Sequence, residues 1–428
     1  MDAFRALWYL PLSELAQLIE RKEISPVEVA RSLLDRIREV DGRTKSFVTA
    51  LEQEALAAAS NAEAEILRGR YLGPLHGVPL AVKDLYDLAG TTASAGSKVR
   101  RGYVPRADAT TVGKLRQAGA VFIGKTTTHE FAFGFDSPPT RNPWNLACTP
   151  GGSSGGSAAA LAAGLCFGAT GTDTGGSIRA PGAMNSVAGI KPTYGRVSKH
   201  GIAVLSWSLD HPGPLARTTR DVALLLRAME GYDPADTSTR DLAVRDYAIQ
   251  LTGDLKGLRI GVPHNYFFDD IQPAVDAAVR QALKVLRDLG AEIIEVTLER
   301  FGDILPTFFS IVMPEAATYH LKTFREHKDE YGPDVRELLE TGSLSLATTY
   351  ISAQRNRSAI TSSLRGAFDQ VDVLATHALP VTAPYVGQEY SDWCGRKEAV
   401  FAACARYLRP FNLSGLPAST VPCGTSPD

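Results

Sequence analysis

The sequence predicts a layered α/β fold with a largely parallel or mixed sheet, and three stretches of the chain indicate this class. Each stretch combines helical apolar spacing with a short apolar run typical of a buried strand. They span residues 110–124, 258–296 and 350–374. Strands that alternate with helices are typical of α/β proteins. Although 428 residues could hold two or three cores, no linker, internal repeat or low-complexity tract is evident, so we predict one domain over residues 1–428.

The first 70 residues are expected to form a helical N-terminal preface. Ser13 and the pair Ser25-Pro26 indicate helix starts, and in the second case proline occupies the first helical position. Both are followed by helical apolar spacing. Residues 52–68, rich in Ala and Glu, indicate a third helix. We interpret this preface as a packing or dimerisation surface rather than as part of the chemistry.

The remaining expected elements alternate along the chain. They are a strand at 78–84, a helix at 110–117 ended by Gly119, a strand at 120–124, a strand at 258–262, a helix at 273–289 ended by Gly290, a strand at 293–296, a helix near 350–369 and a strand at 371–374.

Composition argues against nucleic-acid and membrane partners. The net charge is −2, and no block of lysines and arginines is present to bind a polyanion. The N-terminal segment lacks a basic region followed by an apolar stretch and a small-residue cleavage site. The longest apolar run, residues 158–169, is shorter than the ~20 residues that a membrane span needs. We therefore predict a soluble cytoplasmic protein.

No metal site is expected from the cysteines and histidines. The five cysteines are scattered without a Cys-x-x-Cys pair, so we interpret them as small buried hydrophobes or idle thiols. His129-Glu130 is not followed by the second histidine of a zinc-binding His-Glu-x-x-His motif. The prediction is no metal and no cofactor.

Two Gly-rich segments, 151–158 and 171–179, carry the serines that we expect to do the chemistry. Glycine lets the backbone approach a ligand closely. The first segment lacks the Lys-Ser/Thr ending of a phosphate-binding loop. Its Gly-x-Ser-x-Gly pattern around Ser153 also matches the nucleophile elbow of α/β-hydrolases, for which Asp372 and His377 offer an acid and a base, so this alternative stays open.

Lys83 lies in the apolar run of the strand expected at 78–84. Most lysines are solvated surface charges. A lysine carried inward by an apolar strand is desolvated instead, which lowers its pKa and makes a neutral amine available as a base.

A serine nucleophile activated without histidine accounts for these features together. Ser177 follows a Gly-rich turn whose successive amides can converge as an oxyanion hole. The proton of Ser177 can pass through the hydroxyl of Ser153 to neutral Lys83. The residues expected to form the oxyanion hole with Ser177 are Thr174, Gly175 and Gly176.

At these residues the chain strongly resembles the amidase signature family, and the resemblance extends over nearly the whole sequence. Several long motifs agree in the right order. They are Ala81 to Asp84, Arg141 to Asn145, Gly151 to Ala160, Gly171 to Arg179, Gly189 to Arg196, Ser208 to His211 with Gly213-Pro214, Val371 to Leu374 and Asn412 to Ala418.

The resemblance implies a single α/β/α sandwich around a large mixed sheet. It also implies a catalytic triad of Lys83, Ser153 and Ser177, in which Ser153 follows a cis peptide bond and Ser177 forms the acyl-enzyme. The reaction implied is hydrolysis of a small amide, with carbamates and esters as further substrates of the family. Supporting roles around the triad fall on Ser154, Asp173 and Arg179.

The substrate of the chain is expected to be an apolar or aryl amide. Phe131, Phe133 and Trp207 indicate an aromatic-lined pocket, and the segments 136–140 and 308–319 are expected walls. The family also includes the glutaminase-type A subunit of tRNA-dependent amidotransferases, which works with partner subunits.

Other readings remain beside the amidase. Arg357 falls near an arginine of the amidotransferase A subunits, although we interpret it as a helix-surface side chain. A catalytically silent scaffold with the same fold is a third alternative, and a homodimer through the N-terminal helices is implied by resemblance.

Two features depart from the family pattern. Residues 375–378 replace a proline-containing turn, and we expect this change to affect recognition of the acid portion of the substrate. The sequence also ends at Asp428, where relatives typically continue with another strand and helix, so we expect a short C-terminal end.

Overall fold

The computed structural model describes residues 7–393 and 396–426. Its α-helices, numbered in chain order, are α1 Leu12–Glu20, α2 Pro26–Thr44, α3 Glu52–Leu67, α4 Thr110–Gln117, α5 Gly155–Ala162, α6 Arg179–Met184, α7 Thr219–Met229, α8 Pro273–Asp288, α9 Ile304–His327, α10 Pro333–Ser343, α11 Ala347–Ala367, α12 Val400–Arg406 and α13 Arg409–Ser414. Its strands are β1 Phe47–Ala50, β2 Pro79–Lys83, β3 Val121–Thr126, β4 Gly168–Asp173, β5 Ala188–Lys191, β6 His211–Ala216, β7 Arg259–Pro263, β8 Glu292–Val296, β9 Val373–Leu374, β10 Tyr390–Trp393, β11 Arg396–Ala399 and β12 Ala418–Thr420.

A seven-stranded mixed sheet forms the centre of the fold, in the order β1-β3-β2-β4-β6-β5-β12. The three inner strands β3, β2 and β4 run parallel, and the outer pairs are antiparallel. Strands β2, β3, β4 and β6 are buried along their whole length. This confirms the predicted large mixed sheet, and it means that groups at the carboxyl ends of β2 and β4 lie side by side.

A second, smaller sheet is formed by residues that the sequence also predicted as strands. Strands β8, β7 and β9 pair in parallel in that order. The expected strand at 371–374 is shorter than predicted, because only Val373 and Leu374 pair with β7. Asp372 instead accepts hydrogen bonds from the backbone and guanidinium of Arg259.

The N-terminal helices form as predicted, with one correction at their start. Helix α2 begins at Pro26 with a capping box, since Ser25 accepts the amide of Glu28 and Glu28 accepts the amide of Ser25. Ser13 does not cap α1, which begins at Leu12. The amides of Leu12 and Ser13 donate instead to the buried carboxylate of Asp221 in α7, at 3.0 and 2.9 Å.

One cluster of buried apolar side chains links the N-terminal helices, the seven-stranded sheet and helices α9, α11 and α13. A smaller cluster lies between α6 and α12. The one-domain assignment and the dimer contact through α1–α3 stay predictions. Among the helices of residues 7–393 and 396–426, none combines the length and the hydropathy that a membrane span requires.

Candidate active site

Lys83 is the last residue of β2 and is fully buried. Its Nζ lies 2.8 Å from the hydroxyl oxygens of Ser153, Ser154 and Thr172, within hydrogen-bond distance of all three. Burial lowers the pKa of Lys83 well below its ordinary value, and the carboxylates of Asp173 and Asp210 offset only part of this effect. The predicted neutral amine therefore has a physical basis in the structure.

Strand β4 supplies two threonines that the sequence analysis missed. Thr170 and Thr172 lie two residues apart, so both side chains point to the same face of the sheet. The Thr170 hydroxyl accepts the backbone N–H of Lys83 at 2.8 Å, and the Thr172 hydroxyl accepts from Lys83 Nζ. The period-two spacing of threonines in a strand next to the lysine was the available signal.

The loop before α5 presents Ser153 through close backbone contacts. The peptide bond between Gly152 and Ser153 is cis, as the family resemblance implied. A side chain at residue 152 would collide with the backbone of Asp136, so only glycine fits there. The hydroxyl of Ser137 donates to the carbonyl of Ser153 at 3.0 Å and accepts the amide of Gly155 at 3.0 Å.

Ser154 and Ser177 connect the two Gly-rich segments. The amide of Ser154 donates to the carbonyl of Ser177 at 3.2 Å. The side chain of Ser154 accepts from Lys83 and from the amide of Thr172. Ser177 is 7% exposed, and its hydroxyl forms no hydrogen bond with another described residue. The structure therefore brings Ser153 to Lys83 but shows no hydrogen bond between Ser177 and Ser153, and the role of Ser177 as the nucleophile stays a prediction.

The turn from residue 174 to 179 is organised around the buried carboxylate of Asp173. It accepts the amides of Gly176 at 2.9 Å and Ile178 at 3.2 Å. Because the N–H of Gly176 is engaged in this way, it is not free to donate to an oxyanion. Gly176 has φ +128, and a side chain there would collide with Leu408. Its contribution to the turn is conformational, which departs from the donor role we expected.

Arg179 forms a two-point ion pair with Asp173, at 3.0 Å from Nε and 2.9 Å from Nη2. Asn412, from α13, bonds both members, since its Oδ1 accepts from Arg179 and its Nδ2 donates to Asp173 at 2.8 Å. Burial alone would raise the pKa of Asp173, but Arg179 and Asn412 hold it well below its ordinary value. Asp173 and Arg179 therefore support the site as a charged, fully bonded pair.

Three amides remain as candidate oxyanion donors. The N–H groups of Thr174, Gly175 and Ser177 form no hydrogen bond with another residue of the described chain. The hydroxyl of Thr174 donates to the carboxylate of Asp210 at 2.6 Å. Asp210 also accepts the amide of Leu205 at 2.9 Å. Burial raises the pKa of Asp210 to about 6, against the lowering effect of the Thr174 hydrogen bond.

The three aromatic residues predicted to line the pocket lie in different surroundings. Phe131 is buried and packs edge-on against His320 at 4.3 Å between ring centroids. Phe133 is also buried. Trp207 is 57% exposed and lies beside the ammonium of Lys199. Their assignment as pocket residues stays a prediction, and none of these contacts joins them to the serines.

The alternative triad built on a nucleophile elbow is not assembled. His377 is buried, with Nδ1 3.1 Å from the carbonyl of Phe267 and Nε2 3.3 Å from Asp276. Asp372 pairs with Arg259. The acid and the histidine therefore have other partners, and the hydroxyl of Ser153 is bonded to a lysine.

Arg357 is not the solvated helix-surface side chain we expected. It is partly buried and donates to the carbonyls of Leu413 at 2.6 Å and Ser208 at 3.0 Å. These bonds tie α11 to α13 and to the loop before β6. Its guanidinium is thus used structurally in this conformation.

The described cysteines do not pair. Cys148, Cys166 and Cys404 are buried free thiols, and Cys423 is an exposed one. Cys394 lies outside the described residues. Within residues 7–393 and 396–426, no group of three His, Cys, Asp or Glu side chains is placed to hold a metal ion.

A buried amine that shares hydrogen bonds with serine hydroxyls, held at the end of a mixed sheet, is an arrangement typical of hydrolytic enzymes with serine chemistry. Comparison with known proteins identifies the family. The Amidase family model matches residues 28–428. The chain belongs to the amidase family and is a hydrolase that acts on amides.

Comparison with individual proteins supports the same family assignment. The chain is 46% identical over 425 residues to an amidase of Pseudomonas putida, covering 99% of this chain and 91% of the relative. It is 42% identical to the A subunit of a glutamyl-tRNA(Gln) amidotransferase from Roseiflexus sp. (strain RS-1), covering 98% and 90%. A solved structure of a vestigial protein complex, concerning the origins of an s-triazine catabolic enzyme, matches with TM-score 0.91 and 34% identity, covering 96% and 90%.

Proposed function

We propose that this enzyme hydrolyses the C–N bond of a small amide through an acyl-enzyme on Ser177, with Ser153 and Lys83 relaying the proton. The observation that carries the proposal is the contact of 2.8 Å between the fully buried amine of Lys83 and the hydroxyl of Ser153. A desolvated lysine is a base, and a hydroxyl beside it can pass a proton onward.

The first half of the reaction forms an ester. The Ser177 oxygen attacks the amide carbon while its proton moves to Ser153, whose own proton moves to Lys83. The carbonyl oxygen becomes an oxyanion, which the free amides of residues 174, 175 and 177 can stabilise. When the C–N bond breaks, the proton held by Lys83 returns through Ser153 to the departing amine.

The second half releases the acid. Water attacks the ester carbon and gives its proton to the same relay, and the C–O bond to Ser177 then breaks. The Ser177 oxygen recovers a proton through Ser153, so the enzyme returns to its starting state. The sequence of bond changes balances without a cofactor.

The substrate we propose has an apolar or aryl portion. Support comes from Phe308, whose ring packs against the turn at residues 174–179, called the oxyanion turn from here on. Its ring edge lies 2.7 Å from the position that a side chain on Gly175 would occupy. Phe308 belongs to the segment 308–319 that the sequence indicated as a wall.

A second candidate is the glutaminase activity of a tRNA-dependent amidotransferase A subunit. The observation in its favour is the 42% identity to such a protein. A protein with this function would release ammonia from glutamine and would associate with further subunits.

The deciding experiment measures amine release from a panel containing an aliphatic amide, an aryl anilide, an aryl carbamate, an ester and glutamine. Ser177→Ala should reduce turnover by on the order of 10⁴-fold or more, because the nucleophile is lost. Ser362→Ala is a matched control, since that hydroxyl donates only to the carbonyl of Ser358 on α11. Turnover that persists in Ser177→Ala would refute the nucleophile, and preference for glutamine would favour the second candidate.

A further inference from the structure

Arg409, the first residue of α13, is a fully buried cation without a hydrogen-bond partner for two of its nitrogens. It is 1% exposed, and its Nε and Nη1 atoms are enclosed and unbonded within the described part of the chain. The other buried lysines and arginines of the described ranges all have hydrogen bonds. Their partners are three hydroxyls for Lys83, Asp84 and the Tyr86 carbonyl for Lys125, Asp173 for Arg179, the Leu416 carbonyl for Lys191 and the Tyr194 hydroxyl for Lys199.

Aromatic rings surround this guanidinium. Its carbon lies 4.6 Å from the ring centroid of Phe309, 4.8 Å from Phe308 and 5.4 Å from Phe401. Cation–π contacts offset part of the cost of burying a charge, but they supply no counter-charge. Burial lowers the pKa of Arg409 to about 10, so the side chain remains protonated at neutral pH. Within the described ranges, its charge therefore lacks an anion.

The ring cage formed by Phe308, Phe309 and Phe401 lies against the oxyanion turn. The ring edge of Phe308 packs against Gly175, and the side chain of Leu408 packs against Gly176. The carbonyl of Leu408 also accepts a hydrogen bond of 2.9 Å from Arg179. Residues 408 and 409 are thus attached directly to the turn that precedes Ser177.

The cage also reaches the segment that supports Ser153. Phe401 contacts Phe135 edge-on, with 6.2 Å between ring centroids. Phe135 is followed by Asp136, whose backbone packs on Gly152. The unpaired guanidinium is therefore placed among rings that border both serine segments.

The geometry points to Arg409 as the binding site for a carboxylate carried by the amide substrate. This inference rests on the proposed function and adds a substrate class to it: amides that bear a carboxylate, such as monoamides of short dicarboxylic acids or carbamoyl benzoates. A guanidinium presents a planar pair of donors that matches a carboxylate. The apolar rings would hold the carbon skeleton between the carboxylate and the amide.

Matched pairs of charged and neutral amides test the inference. We would compare kcat/KM for glutaramate with valeramide, and for 4-carbamoylbenzoate with 4-methylbenzamide. A hydrogen-bonded charge pair corresponds to a preference of roughly 10- to 100-fold for the charged member of at least one pair. Arg409→Gln should reduce that ratio to about one, whereas Arg409→Lys should retain part of it.

Arg406→Gln serves as the matched control. Arg406 is the last residue of α12 and has acidic neighbours, with Glu398 at 3.4 Å and Asp270 at 3.8 Å. Its loss should leave the ratio unchanged. A ratio near one in the wild-type enzyme, or a preference that survives in Arg409→Gln, would overturn the inference.

Folding of the variants is checked by thermal melting. Replacing an unpaired buried charge with an apolar side chain relieves its desolvation, so Arg409→Met should melt no lower than the wild type. Glutarate should raise the melting temperature of the wild type and of Arg406→Gln, but not of Arg409→Met. Equal shifts in all three proteins would contradict a carboxylate site at Arg409.

The outcomes separate this inference from the proposed function. Ser177-dependent turnover of neutral amides without charge preference would leave the proposed function intact and refute the carboxylate site. If no amide is hydrolysed, calorimetric titration with glutarate decides: binding lost in Arg409→Gln supports the site, and no binding to the wild type refutes it. Turnover of glutamine above glutaramate that needs Arg409 supports the site while favouring the second candidate function.

Discussion

The backbone N–H of Ser154 donates a hydrogen bond of 3.2 Å to the backbone carbonyl of Ser177. No side-chain atom takes part in this bond. This backbone bond between the two Gly-rich segments is therefore retained when the hydroxyl of Ser153 or of Ser177 is removed. Alanine substitutions at Ser153 and Ser177 consequently test the chemistry of the site rather than its assembly.

Asp173→Asn should destabilise the enzyme strongly, because it leaves the guanidinium of Arg179 buried without its counter-charge. Breaking a buried pair by removing one partner costs about 3–5 kcal/mol. The folded-state pKa of Asp173 is depressed, so its stabilisation is complete above the ordinary carboxyl pKa and decreases as pH falls toward the depressed value. Denaturant unfolding at pH 7 and at about pH 3.5, just below the ordinary carboxyl pKa, should show the larger difference at pH 7.

The matched control for that substitution is Asp372→Asn, which breaks the pair with Arg259. That pair also has two-point geometry, but both side chains are 40% exposed. Exposed ion pairs contribute little to stability. A loss of stability in Asp372→Asn equal to that in Asp173→Asn would show that burial is not the deciding factor.

Lys83→Arg should reduce turnover strongly although it preserves positive charge. An arginine does not lose its proton in the accessible pH range and so cannot serve as a base. We expect a loss of at least about 10²-fold in kcat. Lys125→Arg is the control, because that buried lysine bonds Asp84 and the Tyr86 carbonyl, and none of its bonds reaches a serine hydroxyl. Comparable turnover in Lys83→Arg and the wild type would exclude the proposed base.

The same lysine predicts the direction of the pH dependence. Its pKa is lowered in the folded enzyme, and the neutral form is the active one. Activity is therefore present above that depressed pKa and is lost as pH falls through it. A profile of kcat/KM against pH should show this acidic limb in the wild type and in Lys125→Arg. Activity that rises toward acid pH would contradict the assignment.

Asp210→Asn should weaken the oxyanion turn. The ionised carboxylate accepts the Thr174 hydroxyl, and its pKa is raised to about 6. Its full acceptor strength is thus present above that pKa and declines below it. We expect kcat/KM to fall about tenfold at mildly alkaline pH, as for loss of a hydrogen bond to a charged group, and the inflection near the Asp210 pKa to disappear. The control is Asp236→Asn. The carboxylate of Asp236 accepts the backbone amides of Lys199 and Ser238, so its loss should leave that inflection in place.

Gly175→Ala should impair catalysis more than folding. The new methyl group would lie 2.7 Å from the ring edge of Phe308, which must move and shift the turn. A misplaced oxyanion donor costs on the order of 10²-fold in kcat. Gly42→Ala is the control, since a methyl group there would meet nothing within 4 Å beyond the adjacent backbone of α2, and alanine favours helix there by roughly 1 kcal/mol. Full activity in Gly175→Ala would argue against an oxyanion role for this turn.

Periodicity predicted the elements whose apolar residues are regularly spaced. Helix α4 runs over residues 110–117 as expected, and α2 begins at the expected Ser25-Pro26 signal. Strands β4 and β6 were missed as strands, because glycine and proline replace the branched residues that usually mark one. Their burial between neighbouring strands overrides that weak local preference.

The site was predictable only where the chain is locally distinctive. The serines stand in Gly-rich segments and Lys83 in an apolar run, which single them out. Asn412 and Arg409 act across long sequence separations, as in the bond from Asn412 to Asp173, and no spacing rule connects α13 to β4. Aromatic residues gave a weaker signal still, since Phe131 and Trp207 differ completely in burial although both were pocket candidates.

The residues of the proposed reaction and those of the ring cage come from separate parts of the chain. The amine and the serines are fixed by β2, β4 and their loops, whereas the cage draws on α9, α12 and α13. A directed-evolution library confined to positions 308, 309, 401 and 409 would thus vary the cage while Lys83 and both serines are retained. Substitutions that keep the contact of residue 308 with Gly175 would change the substrate pocket with the least disturbance of the turn before Ser177.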